Sequence, residues 1–305
     1  MVSRRVFLLG ALGTAVLAGT GSYIAIEDDV LPGRIRLAEL VGTCDVDAAP
    51  PSGSVGTIKT GTFRSAARHS DVGWLLALPP GQTSANGLPV VLVLHGRGGD
   101  HTTGFEQLGL HRFLAAHVQA GGAPFALAAA DGGDGYWHPR ASGDDPLLML
   151  TTEFVPMLAT LGLRTASIGV LGWSMGGYGA LLLARQAHRD SLHGVTIAAA
   201  AAGSPALFTS YRSSAAGAFD DAADYAAYGT LAEQPDVGTT PLYVACGTDD
   251  AFTNETKRYR ANVSPTPSGR VGPRPAGHIS RGCHTDGYWR SLAAEQITFL
   301  AAHLG

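Results

Sequence analysis

Gly172-Trp173-Ser174-Met175-Gly176-Gly177 sets a serine between glycines two residues away on either side. The apolar run 166–171 ahead of it reads as a strand, and 175–188 behind it as a helix. A serine at such a junction takes strained backbone angles, and the flanking glycines remove the side chains that would collide. Its oxygen then projects at a helix N-terminus, where the positive end of the dipole favours a developing oxyanion. The chemistry that uses this arrangement is nucleophilic attack on an acyl carbon. In a chain with 41 glycines the string by itself is weak evidence, and a glycine-eased turn with a capping serine is the alternative.

A serine hydroxyl needs a base, and the base needs an orienting carboxylate. Cys246-Gly247-Thr248-Asp249-Asp250 follows a predicted strand over 242–245, which makes Asp250 the expected acid and Asp249 its competitor; a solvated acidic turn is the plainer reading. Gly282-Cys283-His284-Thr285-Asp286-Gly287-Tyr288-Trp289 is a loop ahead of the last predicted helix, so His284 is the expected base and His278 its rival. Two backbone N–H groups must hold an oxyanion: Met175, next to the nucleophile, and Arg97 in the glycine-rich loop His95-Gly96-Arg97-Gly98-Gly99, where His95 reads as structural. Trp173, with Tyr136 and Trp137 from Asp134-Gly135-Tyr136-Trp137-His138, is expected to line the cleft; ordinary burial competes. No metal-ligand cluster is visible, and the chemistry calls for no cofactor.

These residues sit at the ends of alternating elements. Strands are expected over 55–63, 74–78, 89–94, 124–130, 166–171, 195–201 and 242–245. Helices are expected over 107–119, 146–161, 175–188, 254–263 and 288–303. The alternation predicts an α/β fold, a mostly parallel doubly wound sheet with helices on both faces. Residues 203–239 fit no simple pattern and read as an insertion over the sheet's carboxyl edge. Residues 264–281, rich in Pro, Gly and Arg, read as a loop rather than a last strand.

The 305 residues are 45% hydrophobic and 15% charged, which allows a large core and excludes general disorder. A net charge of -4 argues against a nucleic-acid partner. Three cysteines are too few for a disulfide scaffold. Cys246 and Cys283 each lie close to an expected catalytic group, so a bond between them and two free thiols are both open, with Cys44 left over. Ser3-Arg4-Arg5-Val6-Phe7-Leu8 and the apolar run behind it resemble a twin-arginine export signal, an ordinary basic signal peptide being the alternative. Residues 1–26 are thus expected as a signal or an uncleaved anchor, 27–54 as an arm and 55–305 as the catalytic domain. Export, with membrane or cell-wall association through the N-terminus, follows from that division.

From residue 55 onward the chain resembles the putative-esterase family of α/β-hydrolases. That family includes formylglutathione hydrolases, feruloyl and acetyl-xylan esterases and the antigen 85 mycolyltransferases. The matching pieces, in order, are Pro79-Pro80-Gly81, His95-Gly96-Arg97-Gly98-Gly99 and Asp131-Gly132-Gly133 with Tyr136-Trp137. Glu153-Phe154-Val155-Pro156, Gly172-Trp173-Ser174-Met175-Gly176-Gly177, Gly247-Thr248-Asp249-Asp250 and His284 with Tyr288-Trp289-Arg290 follow. The resemblance implies an α/β-hydrolase fold and a Ser174–His284–Asp250 triad with oxyanion donors Arg97 and Met175. The substrate it implies is a small-molecule, lipid or carbohydrate ester. Acyl transfer of the mycolyltransferase kind, a peptidase of the same fold, and a non-catalytic polysaccharide-binding envelope protein are the other readings.

Overall fold

Period-two alternation in the apolar strands decides the architecture. In β3 (Pro89–Leu94), Val90, Leu92 and Leu94 join one hydrophobic cluster while Val91 and Val93 join a second on the opposite face. The strand Ala126–Ala130 divides in the same way, Ala126, Ala128 and Ala130 against Leu127 and Ala129. Strands apolar on both faces belong inside a sheet covered on both sides. The computed structural model describes residue 44 and residues 46–263 and 274–305, and it contains that sheet.

Numbered along the chain, the strands are β1 (Ile58–Ser65), β2 (Ser70–Ala77), β3, β4 (Ala126–Ala130), β5 (Arg164–Trp173), β6 (Thr196–Gly203), β7 (Leu242–Gly247) and β8 (Ile279–Ser280). Their order across the sheet is β1-β2-β4-β3-β5-β6-β7-β8. β1 and β2 are antiparallel to each other and β2 to β4, whereas β3 through β8 all run parallel. This is the mostly parallel, doubly wound sheet that the alternation of elements predicts, in the α/β-hydrolase arrangement that the resemblance implies. Among the described residues, the helices of ten residues or more flank the sheet: α1 (Leu110–Gln119), α2 (Met175–Asp190), α3 (Thr253–Asn262) and α4 (Asp286–Ala301). α1 and α4 pack on the face of Val91 and Val93, and α2 and α3 on the other. The chain reverses direction across the sheet between β3 and β5, and at such a point the loops beyond the strands' carboxyl ends leave a crevice.

Several local expectations change. Residues 146–161 are not one uniform helix: Pro146–Met149 runs into a π-helical turn, Leu150–Phe154, and then Val155–Thr160. Pro156 supplies the cause, having no N–H to donate and a ring that crowds the carbonyl four residues back. The widened turn aims Glu153 at the β1–β2 hairpin, where its carboxylate accepts from Ser65 Oγ and from the amides of Ala66 (2.9 Å) and Ala67 (3.0 Å). The stretch 264–281 read as a loop holds β8, which pairs Ile279 with Cys246 and Ser280 with Gly247. Backbone bonds to β7 hold this edge, Val244 N to Ala276 O (2.9 Å) and Thr248 N to Ser280 O (2.8 Å) among them. Arg260 of α3 donates to the carbonyls of Val244, Pro275, Ala276 and Gly277, so one guanidinium gathers a Pro/Gly-rich segment onto β7. The insertion 203–239 does lie over the carboxyl edge. Arg97 donates to Ala216 O (2.8 Å), His138 Nε2 meets Ala218 O (2.9 Å), and Arg140 binds Asp220 (2.8 Å).

The cysteine pairing is also a correction. Cys283 bonds Cys44, with Cα atoms 5.0 Å apart, and Cys246 is free and buried. Alternation along β7 puts Cys246 with Leu242 and Val244 on the face that α3 covers, while Cys283 leads into α4 on the opposite face. Side chains separated by the sheet have no route to a bond. The proposed signal or anchor, 1–26, and most of the arm, 27–43, lie outside the described residues. Among the described residues no helix is long and apolar enough to cross a membrane.

Candidate active site

β5 delivers Ser174 into a turn that only a few residue types could flank. Ser174 sits at φ +54, the left-handed region that costs a serine about 1–3 kcal/mol unless its surroundings impose it. They do so through three backbone hydrogen bonds. Ser174 N donates to Gly203 O, and Ser174 O accepts from Tyr178 N and Ala206 N, each at 3.0 Å. A Cβ on Gly172 would overlap the Gly176 carbonyl, and one on Gly176 would overlap the carbonyl of Leu94 at the end of β3. The two glycines therefore let β3, β5 and the start of α2 meet at the serine.

Ser174 Oγ lies 2.8 Å from His284 Nε2, and His284 Nδ1 lies 2.9 Å from Asp250 Oδ2. A carboxylate only accepts, so the ring proton belongs on Nδ1 and the Nε2 lone pair faces the serine hydroxyl. Asp250's side chain is 0% exposed, and its other oxygen accepts from Phe252 N at 2.9 Å. Asp249 is not in this chain of bonds; it accepts from Thr248 Oγ1 and donates its amide to Gly282 O. His278 stands beside Glu295 instead. The imidazole is held from two sides by rings, Phe252 at 5.3 Å and Trp289 at 4.9 Å and 90°.

The loop after β3 closes the other wall. A Cβ on Gly96 would come within 3.6 Å of Ser174 Cβ, so the loop lies against the serine. Gly98 N donates to Asp134 Oδ1 (2.7 Å) and Gly99 N to Gly96 O (3.1 Å), and Arg97 lines the cleft between them. Met175 is the first residue of α2, where an amide has no partner within its own helix. His95 braces the loop from beneath: Nδ1 meets Gly96 O at 2.8 Å and Nε2 accepts from Gly132 N at 2.9 Å. Burial pushes the His95 pKa below the ordinary histidine range, which suits a neutral ring with one donor and one acceptor.

A cleft of about 240 Å³ opens at Ser174 and His284, lined by Arg97, Thr103, Gln107, Trp173, Asp286 and Trp289. Trp173 reaches it although only 4% of its surface is exposed. Tyr136 and Trp137 do not line it. Both have positive φ, +58 and +59, and both are buried, at 3% and 0% exposure. Trp137 packs under the glycine-rich loop against His95, and Tyr136 packs among Tyr178, Phe208 and Phe219. Of the wall residues that sequence reasoning missed, Trp289 had a visible signal as an aromatic directly behind the expected base. Thr103, Gln107 and Asp286 had none, because they are ordinary loop and helix-end residues that meet only in the fold. Among the described residues no group of three His, Cys, Asp or Glu side chains could hold a metal ion.

A family model described as putative esterase matches residues 65–295. Among solved structures, a ferulic acid esterase is 19% identical with a TM-score of 0.66, covering 83% of this chain and 100% of its own. An S-formylglutathione hydrolase from Agrobacterium tumefaciens is 15% identical with a TM-score of 0.65, covering 84% and 99%. A fluorophosphonate-binding serine hydrolase of Staphylococcus aureus is 17% identical with a TM-score of 0.61, covering 81% and 99%. At these identities the likeness is one of fold. No curated protein matches the sequence.

The histidines carry a pH signature. Burial lowers the pKa of His95 and of His138 from 6.5, so the unfolded chain takes up protons that the folded one resists. Their contribution is complete above about pH 6.5 and is lost as pH falls toward the folded values. Thermal unfolding midpoints should therefore drop between pH 7.5 and pH 5. His95→Gln, which keeps a donor and an acceptor but cannot titrate, should flatten part of that slope.

Proposed function

The chain belongs to the putative esterase family, as a carboxylic ester hydrolase of the α/β-hydrolase fold, and on that premise we propose that it works through an acyl-enzyme on Ser174. The observation that carries the proposal is the hydrogen-bonded chain Ser174–His284–Asp250, at 2.8 and 2.9 Å. Ser174 Oγ attacks the ester carbonyl carbon while its proton passes to His284 Nε2. Asp250, on Nδ1, holds the ring orientation and stabilises the imidazolium. The amides of Arg97 and Met175 receive the oxyanion, a role worth roughly 100- to 1,000-fold per donor. The tetrahedral intermediate collapses, the C–O bond to the alcohol breaks, and His284 returns the proton to the leaving oxygen. Water, deprotonated by the same histidine, then releases the acid and restores the serine.

The cleft supports a short acyl group on a polar alcohol. Its volume of about 240 Å³ lies below the roughly 300–1,000 Å³ of pockets that enclose drug-sized ligands, and charged and amide side chains share its wall with two indoles. Leu207, Phe208 and Phe219, from the insertion, are packed into the core rather than arrayed around a tunnel. An open polar cleft also favours water over a second alcohol as the acyl acceptor. Export fits two features: Arg4-Arg5 in the N-terminal pattern, and a disulfide of the kind oxidising compartments preserve.

A fluorophosphonate probe should label the wild type at Ser174 and leave Ser174→Ala unmodified. Ser174→Ala and Asp250→Asn should lower kcat by about 10⁶-fold and 10⁴-fold; labelling elsewhere, or full turnover by Ser174→Ala, defeats the assignment. In a p-nitrophenyl ester series, kcat/KM for acetyl should exceed that for palmitoyl by about 100-fold or more, and an added sugar acceptor should gain no acyl group. An opposite order, or acyl-sugar formation, would favour the transferase reading. Replacing Arg4 and Arg5 together by lysine should leave the protein inside the producing cell, as fractionation would reveal.

A further inference from the structure

The segment that precedes the sheet ends up against the catalytic base. Cys44 is bonded to Cys283, the residue immediately before His284. Arg290, on the first turns of α4, donates Nε to Ala48 O (2.9 Å), Nη1 to Gln107 O (3.1 Å) and Nη2 to Asp47 Oδ1. One guanidinium thus joins the segment to the helix that follows His284 and to a residue of the cleft wall. The fit is close. A Cβ on Gly287 would overlap the carbonyl oxygen of Val46, and one on Gly109 would approach Pro50 to 2.7 Å. This segment lies outside residues 65–295, which the family model matches.

Phe252, Trp289 and Asp250 set the imidazole itself, and the backbone of its loop has further ties. The His284 loop is tied to the acid loop by Asp249 N to Gly282 O (3.0 Å) and Thr248 N to Ser280 O (2.8 Å). Those bonds fix the loop relative to β7, ahead of the histidine. Among the described residues the disulfide at Cys283, one residue before the base, adds a covalent restraint. Accepting the serine-esterase reading above, we propose that Cys44 and residues 46–50 are a positioning element of the active site: the Cys44–Cys283 bond and the Arg290 clamp hold the His284 imidazole in register with Ser174. A misplacement of about 1 Å between reacting groups costs on the order of 100-fold in rate, so a restraint one residue from the base acts on turnover rather than on substrate binding.

The test uses the full chain and three perturbations: Cys44→Ser, Arg290→Met, and wild type reduced with dithiothreitol. In the last, the S–S bond breaks, the two cysteines gain two electrons and two protons, and the reagent closes to its cyclic disulfide. Near-ultraviolet circular dichroism and thermal unfolding establish that each form is folded at the assay temperature. For p-nitrophenyl acetate we expect kcat to fall about 10- to 100-fold with KM unchanged within about twofold. Fluorophosphonate labelling of Ser174 should slow by the same factor, reoxidation should restore the reduced wild type, and Arg290→Lys should retain more activity than Arg290→Met. Folded protein whose kcat is unaffected by reduction or by Cys44→Ser overturns the proposal. So does reduction that simply unfolds the chain while Arg290→Met turns over normally, for then the bond is a staple of stability alone. If the oxidised wild type neither hydrolyses the ester nor takes the label, the esterase reading fails, and that result is separate from any effect of the disulfide.

Discussion

Ser174 is held in a left-handed backbone conformation because three strand ends crowd around it and leave it no other. The carbonyl of Gly203 at the end of β6 takes its amide, and the residues after Gly203 return to its carbonyl. Leu94 at the end of β3 presses on Gly176. Each of these contacts requires small residues where it is made, and the sequence has them: Gly172, Gly176 and Gly177 around the serine, and five alanines followed by glycine along β6. Alanine is the best helix former, yet here it builds a central strand, since only a small side chain lets α2 and α4 approach both faces of the sheet at this point. The serine's position is thus a packing result of the whole sheet, and the imidazole and the carboxylate are brought to it by the loops after two other elements.

The order of strands explains why those loops converge. β3 and β5 are neighbours whose crossovers leave in opposite directions, so the chain beyond their carboxyl ends parts and leaves room. The glycine-rich loop falls on one side of that opening and the serine turn on the other. His95 and Asp131 support the first side. Asp131 accepts from the amides of Gly73 (2.9 Å) and His101 (2.8 Å), which ties β2 to the loop after β3. The second side rests on the insertion, whose aromatic residues Phe208, Phe219 and Tyr225 fill the space above α2.

Much of this was legible in the residues, and the parts that were not have physical reasons. Ser174, Asp250 and His284 stand out because each needs a particular residue type directly after a strand or before a helix, and local sequence reports that context. Tyr136 and Trp137 lie in the core rather than the cleft because two successive positive φ values turn them inward, and nothing in a tyrosine-tryptophan pair announces that. β8 carries no apolar run to announce it: it is two residues long, half-buried, and held to β7 by backbone pairing, with Arg260 gathering the segment just ahead of it. Alternation along β7 gives the face of Cys246, but the side on which Cys283 lies is set by how its loop enters α4, which the sequence does not report. Distance along the sequence to a catalytic group was a poorer guide than the side of the sheet.

That same face assignment shapes how the protein behaves in the presence of other thiols. Exchange with a disulfide needs a thiolate that can reach one of its sulfurs. Burial pushes the Cys246 thiol up to about 12, and the sheet stands between it and the Cys44–Cys283 bond. In the native molecule this third sulfur is thus kept as a buried, protonated thiol, a poor partner for exchange with the cross-link or with a second copy.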